Sequence, residues 1–449
     1  MRQIARAGLT VLLAAGVASS ASDQEVLCLS LREAQARAGE GNRLLEVARQ
    51  AVLVAEGARL QAWSASLPSA SLSEQALRTN DPLAAFGMRL GQERVSAASF
   101  APASLNHPRA IGNFRTALEV RQPVFSGGGA LYGRRQARAQ VQAAGQHLDR
   151  SQQDVRLAVA RAYWGLVLAR QSLEAVRQSL EAARAHEEAA RARYRNETVP
   201  LSDLLAAQVR VAELRGQELA AADGVAGAAD DLTLGLGLDP EQVVEPADTL
   251  AERPLDQDLE TLVQAALEQR PDLRAAALRA EAARHGVRAA RAGYVPRLDA
   301  FAQAQLSSSE VLERQGESWT VGATLTWDLF TGLHREGTVR QAQAQAGQAR
   351  ARQDYLRQEV VRQVAAAWRG VQTARAQVAI AGEAVRQAEE RLRMSDLQYR
   401  QEVIPATDLL DAETELTQVR LHRLQALHDL NVGIARLEHA AGITQGGQP

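Results

Sequence analysis

Residues 399–412, YRQEVIPATDLLDA, repeat a pattern that the chain already carries at residues 194–207, YRNETVPLSDLLAA. Tyrosine, glutamate, proline, aspartate and a leucine pair recur at one offset of 205 residues (399 − 194). Each copy places a proline between two long helical patterns, and proline is tolerated at the start of a helix but not in its interior. The sequence therefore predicts the same helix–turn–helix twice.

The offset of 205 residues extends well beyond these turns. It relates Phe125 to Phe330 and continues without a gap to Gly237 and Gly442. Such colinearity indicates an internal duplication. Earlier in each half the offset is 228 (Pro296 against Pro68), so the first half carries 23 extra residues (228 − 205), which we assign to a loop within residues 79–108.

The duplication predicts the domain boundaries. Arg2 and Arg6 precede an apolar run and a small-residue cleavage site, which is typical of a signal peptide over residues 1–21. In each repeat we expect a helix, a strand pair, a long helix, a tip turn and a return helix. The predicted units are a first repeat at 22–238 (strand pair about 69–125, tip turn 194–203), a linker at 239–258, a second repeat at 259–443 (strand pair about 297–330, tip turn 399–408) and a tail at 444–449.

One segment has the alternation of a transmembrane strand. From Trp319 to Leu329 apolar residues alternate with small or polar ones, and a tryptophan lies near each end of the apolar face. About ten such residues suit a strand that crosses a membrane, although a soluble sandwich strand would alternate in the same way. Weaker alternation at residues 69–77, 117–121 and 298–306 brings the total to four strands. Four strands cannot close a barrel and open edges are not tolerated in lipid, so several copies must share one barrel.

The remaining composition favours long helices. From about Gly332 to Tyr399 the pattern is helical without proline, and some 65 residues at 1.5 Å each reach about 100 Å. A net charge of −2 gives no reason to expect a nucleic-acid partner. The single cysteine, Cys28, excludes an internal disulfide and is predicted to be buried and structural.

In this duplicated order of elements, in its strand-to-helix junctions at Phe125-Ser126-Gly127 and Phe330-Thr331-Gly332 and in its two tips, the chain resembles the TolC-like outer-membrane efflux family. The resemblance implies a mainly α fold with a transmembrane β part. Three protomers would contribute four strands each to a shared 12-stranded β-barrel and would build a long α-helical barrel. The resemblance thus implies a homotrimer in the Gram-negative outer membrane that extends into the periplasm.

The resemblance also implies a gate at the periplasmic mouth. Carboxylates just after the second tip turn narrow the mouth in that family, and the matching residues are Asp408 and Asp411. At positions i and i+3 they share one helix face, where threefold symmetry would make two acidic rings that favour cations. The plainer alternative is that acidic residues in the first turns of a helix interact with its dipole. The first repeat has Ser202 and Asp203 but Ala206 where Asp411 would fall, so it lacks the second ring.

The latch of that gate departs from the family pattern. Ile404 occupies the position of the arginine that latches some relatives shut, and Tyr399 and Arg400 are the nearby residues that would substitute for it. Where relatives often have a tip glycine, this chain has Glu197 and Glu402. The tips are also where an adaptor is expected to dock, through residues Asn196, Glu197, Thr198, Val199, Gln401, Glu402, Val403 and Ile404.

The leading hypothesis is a passive exit duct of a tripartite efflux system for small toxic compounds or metal ions. Its implied partners are outer-membrane lipid, a periplasmic adaptor (membrane fusion) protein and an inner-membrane transporter of RND or ABC type. The alternatives are a type I protein-secretion duct and a periplasmic coiled-coil adaptor. We expect no enzyme activity, cofactor or metal site, since no catalytic constellation is present and the histidines lack metal-ligand spacing.

Overall fold

A computed structural model describes residues 26–254, 257–311, 313–401 and 403–443. The predicted signal peptide, the tail and Glu402 lie outside these residues. The first half contains β1 (Val26–Leu29), α1 (Leu31–Gly41), α2 (Arg43–Ser64), β2 (Ser69–Thr79), α3 (Pro82–Gly91), α4 (Pro102–Asn106), β3 (Ile111–Phe125), α5 (Gly129–Arg195), α6 (Leu201–Leu236) and β4 (Val243–Pro246). The second half contains α7 (Leu259–Gln269), α8 (Pro271–Arg291), β5 (Arg297–Ser308), β6 (Gly316–Thr326), α9 (His334–Arg400) and α10 (Ala406–Ala441).

Two helical hairpins dominate the molecule, and they keep the 205-residue offset at every boundary. Helices α5 and α9 each have 67 residues, and the return helices α6 and α10 each have 36. A helix of 67 residues is about 100 Å long. The predicted fold class, mainly helical with a strand part and an internal duplication, is confirmed.

The four-stranded sheet has the order β2-β3-β5-β6 and is antiparallel throughout. Its register aligns apolar residues in rows across all four strands, and two rows are Leu72, Leu118, Ala304, Trp319 and Ala70, Val120, Ala302, Val321. The neighbouring row on the opposite face is polar and consists of Ser71, Glu119, Gln303 and Thr320. The period-two pattern therefore makes one apolar and one polar face, as side-chain alternation requires.

The apolar face of the sheet is uncovered in the protomer. Trp319 is 77% exposed and Val321 is 67% exposed. The strand predicted to reach Leu329 ends at Thr326, after which the chain turns into α9. This turn uses a left-handed backbone at Gly332 and Leu333, as the earlier junction does at Gly127 and Gly128.

Each repeat opens with two helices, and the prediction of one helix was wrong. The breaks fall at Asn42 and Arg270, which are related by the earlier offset of 228. Asn42 ends α1 and caps α2: its Oδ1 accepts from the Leu44 amide at 2.9 Å, while its Nδ2 donates to the Gly235 carbonyl at 2.8 Å. The break is therefore stabilised by a contact with the end of α6, which a local pattern cannot reveal.

Arg270 stabilises the corresponding helix break in the second repeat, and it does so through a charged side chain. Its side chain is fully buried, donates to the Ala440 carbonyl of α10 at 3.0 Å, and forms two hydrogen bonds with Asp272 at 3.0 and 2.6 Å. Gly442, which directly follows the end of α10, has a φ of 72°, and a Cβ on it would lie 2.9 Å from the Arg270 Cγ. Only glycine combines that backbone conformation with such a close approach.

The main apolar core lies at the level of the helix breaks at Asn42 and Arg270, and we call this level the waist. Its buried residues come mainly from α1, α5, α6, α7, α9 and α10, with Leu45 of α2 and Val244 of β4, and Tyr163 is its largest fully buried side chain. Towards the tips, the two other clusters of buried apolar residues found in the described chain belong to α5 and α6 alone. The two hairpins are thus joined by a common apolar core at the waist.

Residues 239–258, predicted as a linker, contribute structure of their own. Strand β4 pairs in parallel with β1, and the Asp248 carboxylate lies 2.8 Å from the Tyr163 hydroxyl at the waist. Cys28 lies on β1 and is exposed, so the prediction of a buried cysteine was wrong. The two-stranded sheet is short, and the Cys28 side chain on it stays accessible to solvent. None of the helices in the described part of the chain combines the length and the hydropathy of a transmembrane helix.

Replacing Arg270 by methionine is expected to destabilise the waist. The change removes the side-chain donor to the Ala440 carbonyl and the charged partner of the partly buried Asp272, and breaking a buried pair costs about 3 kcal/mol. The free energy of unfolding in detergent, followed by circular dichroism in urea, should fall accordingly. Arg279→Met on the exposed side of α8 is the control and should change it by at most about 0.5 kcal/mol. Equal losses in the two variants would contradict the role of Arg270.

Candidate functional site

The two hairpin tips have one backbone design. Helix α5 ends at Arg195, and the Thr198 amide returns to the Arg193 carbonyl at 3.0 Å. In the second tip the Val403 amide returns to the Gln398 carbonyl at 2.9 Å, again 205 residues later. This six-to-one hydrogen bond is the Schellman motif, which requires a left-handed residue just after the helix.

Glu197 occupies that left-handed position, with a φ of 59°. A residue with a Cβ is strained there, whereas the glycine expected from the family pattern would not be. Thr198 compensates in part, because its hydroxyl donates to the Arg193 carbonyl at 2.9 Å. Prolines 200 and 405, both extended, then start the return helices.

The predicted docking residues lie at the free ends of the hairpins. Asn196, Glu197 and Thr198 are exposed and Val199 is half-buried. Gln401 and Val403 are exposed, Ile404 is half-buried, and Glu402 lies outside the described residues. The tips thus present mostly polar side chains with one exposed valine.

Asp408 and Asp411 lie together on the exposed side of α10, three residues apart in its first turns. Leu409 and Ala412, their neighbours in sequence, are buried on the opposite side. Within the part of the chain that the structure describes, neither carboxylate has a hydrogen-bond or ion-pair partner. Both charges therefore remain free to act on their surroundings.

The other predicted gate residues fall in a different place. Asp203 and Tyr399 line a cavity of about 300 Å³ between the two hairpins. Ser202 is exposed and donates to the Asp203 carboxylate at 3.3 Å. The Arg193 guanidinium lies 5.2 Å from the centre of the Tyr399 ring, a cation–π distance. The five predicted residues thus form two groups: Asp408 and Asp411 on the exposed face of α10, and Asp203, Tyr399 and the adjacent Ser202 at the cavity between the hairpins.

The two residues predicted as substitutes for the missing arginine behave differently. Arg400 pairs with Asp396 of its own helix, with nitrogen–oxygen distances of 3.0 and 2.8 Å. Tyr399 reaches the other hairpin through Arg193. Of the two, Tyr399 is the one that connects the hairpins.

A second cavity, of about 460 Å³, lies further from the tips and contains residues that the sequence did not single out. Here His186 of α5 lies 2.8 Å from Glu413 of α10, and the Ser179 and Thr417 hydroxyls are 3.0 Å apart. The hydrogen bond with Glu413 raises the pKa of His186 above its ordinary value, against the opposing effect of burial. A signal was available, since Ser179, His186 and Arg193 are seven residues apart and share one helix face.

No group of three or more histidine, cysteine, aspartate or glutamate residues within the described ranges could hold a metal ion. His428, for example, pairs with Asp429 beside it on α10.

A family model described as "Outer membrane efflux protein" matches residues 35–238 and 262–443. Among solved structures, a membrane protein from Pseudomonas aeruginosa is 21% identical, with a TM-score of 0.77 over 93% of this chain and 91% of that one. The outer membrane protein VceC from Vibrio cholerae is 21% identical, with a TM-score of 0.77 over 92% and 96% of the two chains. The Campylobacter jejuni CmeC outer membrane channel is 16% identical, with a TM-score of 0.78 over 93% and 87%.

These structural likenesses concern the fold. A comparison with curated protein sequences finds no match.

Replacing Glu197 by glycine is expected to tighten the first tip. Relief of the left-handed strain is worth about 1 kcal/mol, or roughly a fivefold slower hydrogen exchange of the tip amides if they exchange through local opening. Exchange followed by mass spectrometry measures this, with Glu197→Ala as the control because alanine keeps a Cβ at the strained position. The strain account fails if both variants exchange alike.

Proposed function

The chain belongs to the outer membrane efflux protein family, and we propose that it is the exit duct of a tripartite efflux system that expels small toxic compounds or metal ions. As a member of this family the protein is a passive channel of the Gram-negative outer membrane that extends into the periplasm, and it is not an enzyme. Membership argues against the alternative of a periplasmic coiled-coil adaptor.

The observation that carries the proposal is the join between an open sheet and two helices of about 100 Å each. Strands β2 and β6 form the edges of the described sheet, and a backbone edge in lipid must find hydrogen-bond partners. Because strand direction alternates across the sheet, β6 of one protomer can pair in antiparallel fashion with β2 of the next. Three protomers then close a barrel of twelve strands, four from each.

The exposed rows of the sheet support the same assembly. The rows that contain Trp319 and Val321 lie next to each other and are apolar across all four strands. The row beyond Trp319, away from the helices, contains Glu74, Thr116 and Glu317 together with Leu306 and begins the polar rim. An outward apolar band that ends in polar rows matches the lipid-facing belt of an outer-membrane barrel.

The gate is proposed to consist of Asp408 and Asp411. In a trimer their unpaired carboxylates would form two rings in a narrow pore, where summed potentials attract cations and repel anions. The first hairpin has Asp203 at the position of Asp408 but Ala206 at the position of Asp411, so only α10 carries both carboxylates. Opening would be an iris-like movement of the helices that follow Pro200 and Pro405.

The partners follow from the position of the tips. The exposed turns at Asn196–Thr198 and at Gln401 and Val403 would receive a periplasmic adaptor. An inner-membrane transporter of RND or ABC type would supply the energy, since the duct has none of its own. Asp203 and Tyr399, in the cavity between the hairpins, would then respond to adaptor binding.

Removing both acidic rings is expected to remove cation block. The double variant Asp408→Ala with Asp411→Ala should raise the gadolinium concentration that halves the single-channel current in planar bilayers by roughly tenfold or more. The matched control removes two exposed carboxylates of α6 elsewhere, Asp223→Ala with Asp230→Ala. Unchanged block in the gate variant, or equal changes in both, would refute the ring.

A further inference from the structure

Among the described residues, three polar contacts join the two hairpins between the waist and the tips, and all three use one face of α5. Ser179 contacts Thr417 at 3.0 Å, His186 contacts Glu413 at 2.8 Å, and Arg193 lies over the Tyr399 ring. A spacing of seven residues keeps Ser179, His186 and Arg193 in one stripe along the helix. The apolar clusters at this level lie within the first hairpin. At this level the polar contacts therefore add to the apolar packing of α10 residues such as Leu409 and Leu416 against the first hairpin.

The middle contact joins two ionisable side chains and is largely sheltered from solvent. The Glu413 side chain is 11% exposed and that of His186 is 34% exposed. A charged hydrogen bond in such surroundings is roughly twice as strong as a neutral one. Of the six residues in the three contacts, His186 is the one whose ordinary pKa lies near neutrality.

This contact is also close to the proposed gate. Glu413 follows Asp411 by two residues on α10 and points to the opposite side of the helix, towards α5. An outward movement of α10 must separate Glu413 from His186. The contact thus holds the helix that carries the gate carboxylates.

We propose that His186 and Glu413 form a proton-sensitive clasp, which holds α10 against α5 in the closed duct at acidic pH and releases it as the pH rises. This inference rests on the gate assigned above and adds its regulation. His186 and Glu413 act as positioning residues, because they set the place of α10 without contact with the transported compound.

Of the carboxylates around His186, Glu413 is the one that contacts it. Besides Glu413 itself, three carboxylates line the two cavities around the histidine: Asp203 of α6, and Glu389 and Asp396 of α9. Glu389 is paired with Arg420 at 2.8 Å and Asp396 with Arg400. Asp396 adds to the raised pKa of His186 through its charge, with a smaller effect than Glu413.

Five arginines face the same space, and four are engaged elsewhere. Arg393, Arg400 and Arg420 are paired with carboxylates of their own hairpin, and Arg193 lies over Tyr399. Arg210 of α6 is buried, and its nearest carboxylate oxygen, on Glu213, is 3.6 Å away. The charge of Arg400 opposes protonation of His186, but the contact with Glu413 outweighs it.

The direction of the pH dependence follows from these contacts. The clasped form raises the pKa of His186 above its ordinary value of 6.5, whereas a released His186 would return to it. Protonation therefore favours the clasped form. The stabilisation is fully present below pH 6.5 and is lost as the pH rises through the raised pKa. Each unit between the two pKa values changes the ratio of closed to open forms about tenfold.

The test measures the open probability of the full-length protein in planar bilayers between pH 5.5 and 8.5. We expect it to rise at least about threefold with pH in the wild type. This rise should disappear in His186→Gln and in Glu413→Gln, which also open more often at pH 5.5. His428→Gln is the matched control, since it removes a histidine paired with an acid on the same helix, and it should keep the rise. A pH-independent wild type, or a rise that persists in His186→Gln, overturns the clasp.

A second measurement is independent of conduction. With Cys28→Ser as background, spin labels at Asn196→Cys and Gln401→Cys report the separation of the two exposed tips, and labelled protomers are diluted with unlabelled ones. The separation should increase with pH in the wild type and in His428→Gln but not in His186→Gln. If the distances follow this pattern while no variant conducts, the proposed duct function is refuted and the clasp is supported. If the protein conducts but its tip separation does not change with pH, the clasp fails alone.

Discussion

The backbone groups at the edges of the sheet impose the strongest constraint on this molecule. Strands β2 and β6 pair on one side only within the described chain, yet the face that they share is apolar and exposed. In hydrocarbon each unpaired amide or carbonyl costs several kcal/mol, so the protomer is incomplete as a membrane structure by itself. The proposed assembly of three copies would complete that sheet.

The duplication supplies a nearly symmetric scaffold, and the differences between its halves are the informative part. The helix breaks use neutral Asn42 in one half and charged Arg270 in the other. The strand-to-helix turn uses Gly128 in the first half and Leu333, equally left-handed, in the second. At the tips, the second half adds Asp411. The two hairpins thus share a backbone design and have different surface chemistry.

Much of this fold could be predicted from the sequence, because period-two and helical patterns report which face of an element is buried. The long helices and the tip turns therefore agree with the sequence pattern. The helix breaks at Asn42 and Arg270 were not predicted, because their stabilising partners are carbonyls about 170 to 190 residues away in the sequence. Cys28 was assigned from the average behaviour of cysteine, while the small β1–β4 sheet leaves it exposed. The contact between His186 and Glu413 was also not predicted, because no local pattern pairs residues on different hairpins.

The placement of the apolar core at the waist has a mechanical consequence. Helix α10 leaves that core at Ala426 and runs another 20 residues to its start at Ala406, which is about 30 Å. Such an arm swings its end by about 3 Å when it tilts by roughly 6°, and 3 Å is enough to break a hydrogen bond. A contact far from the waist needs less force to resist a given tilt of α10 than a contact close to it. Modest polar contacts near the end of α10 can therefore govern the mouth, while the waist keeps its packing.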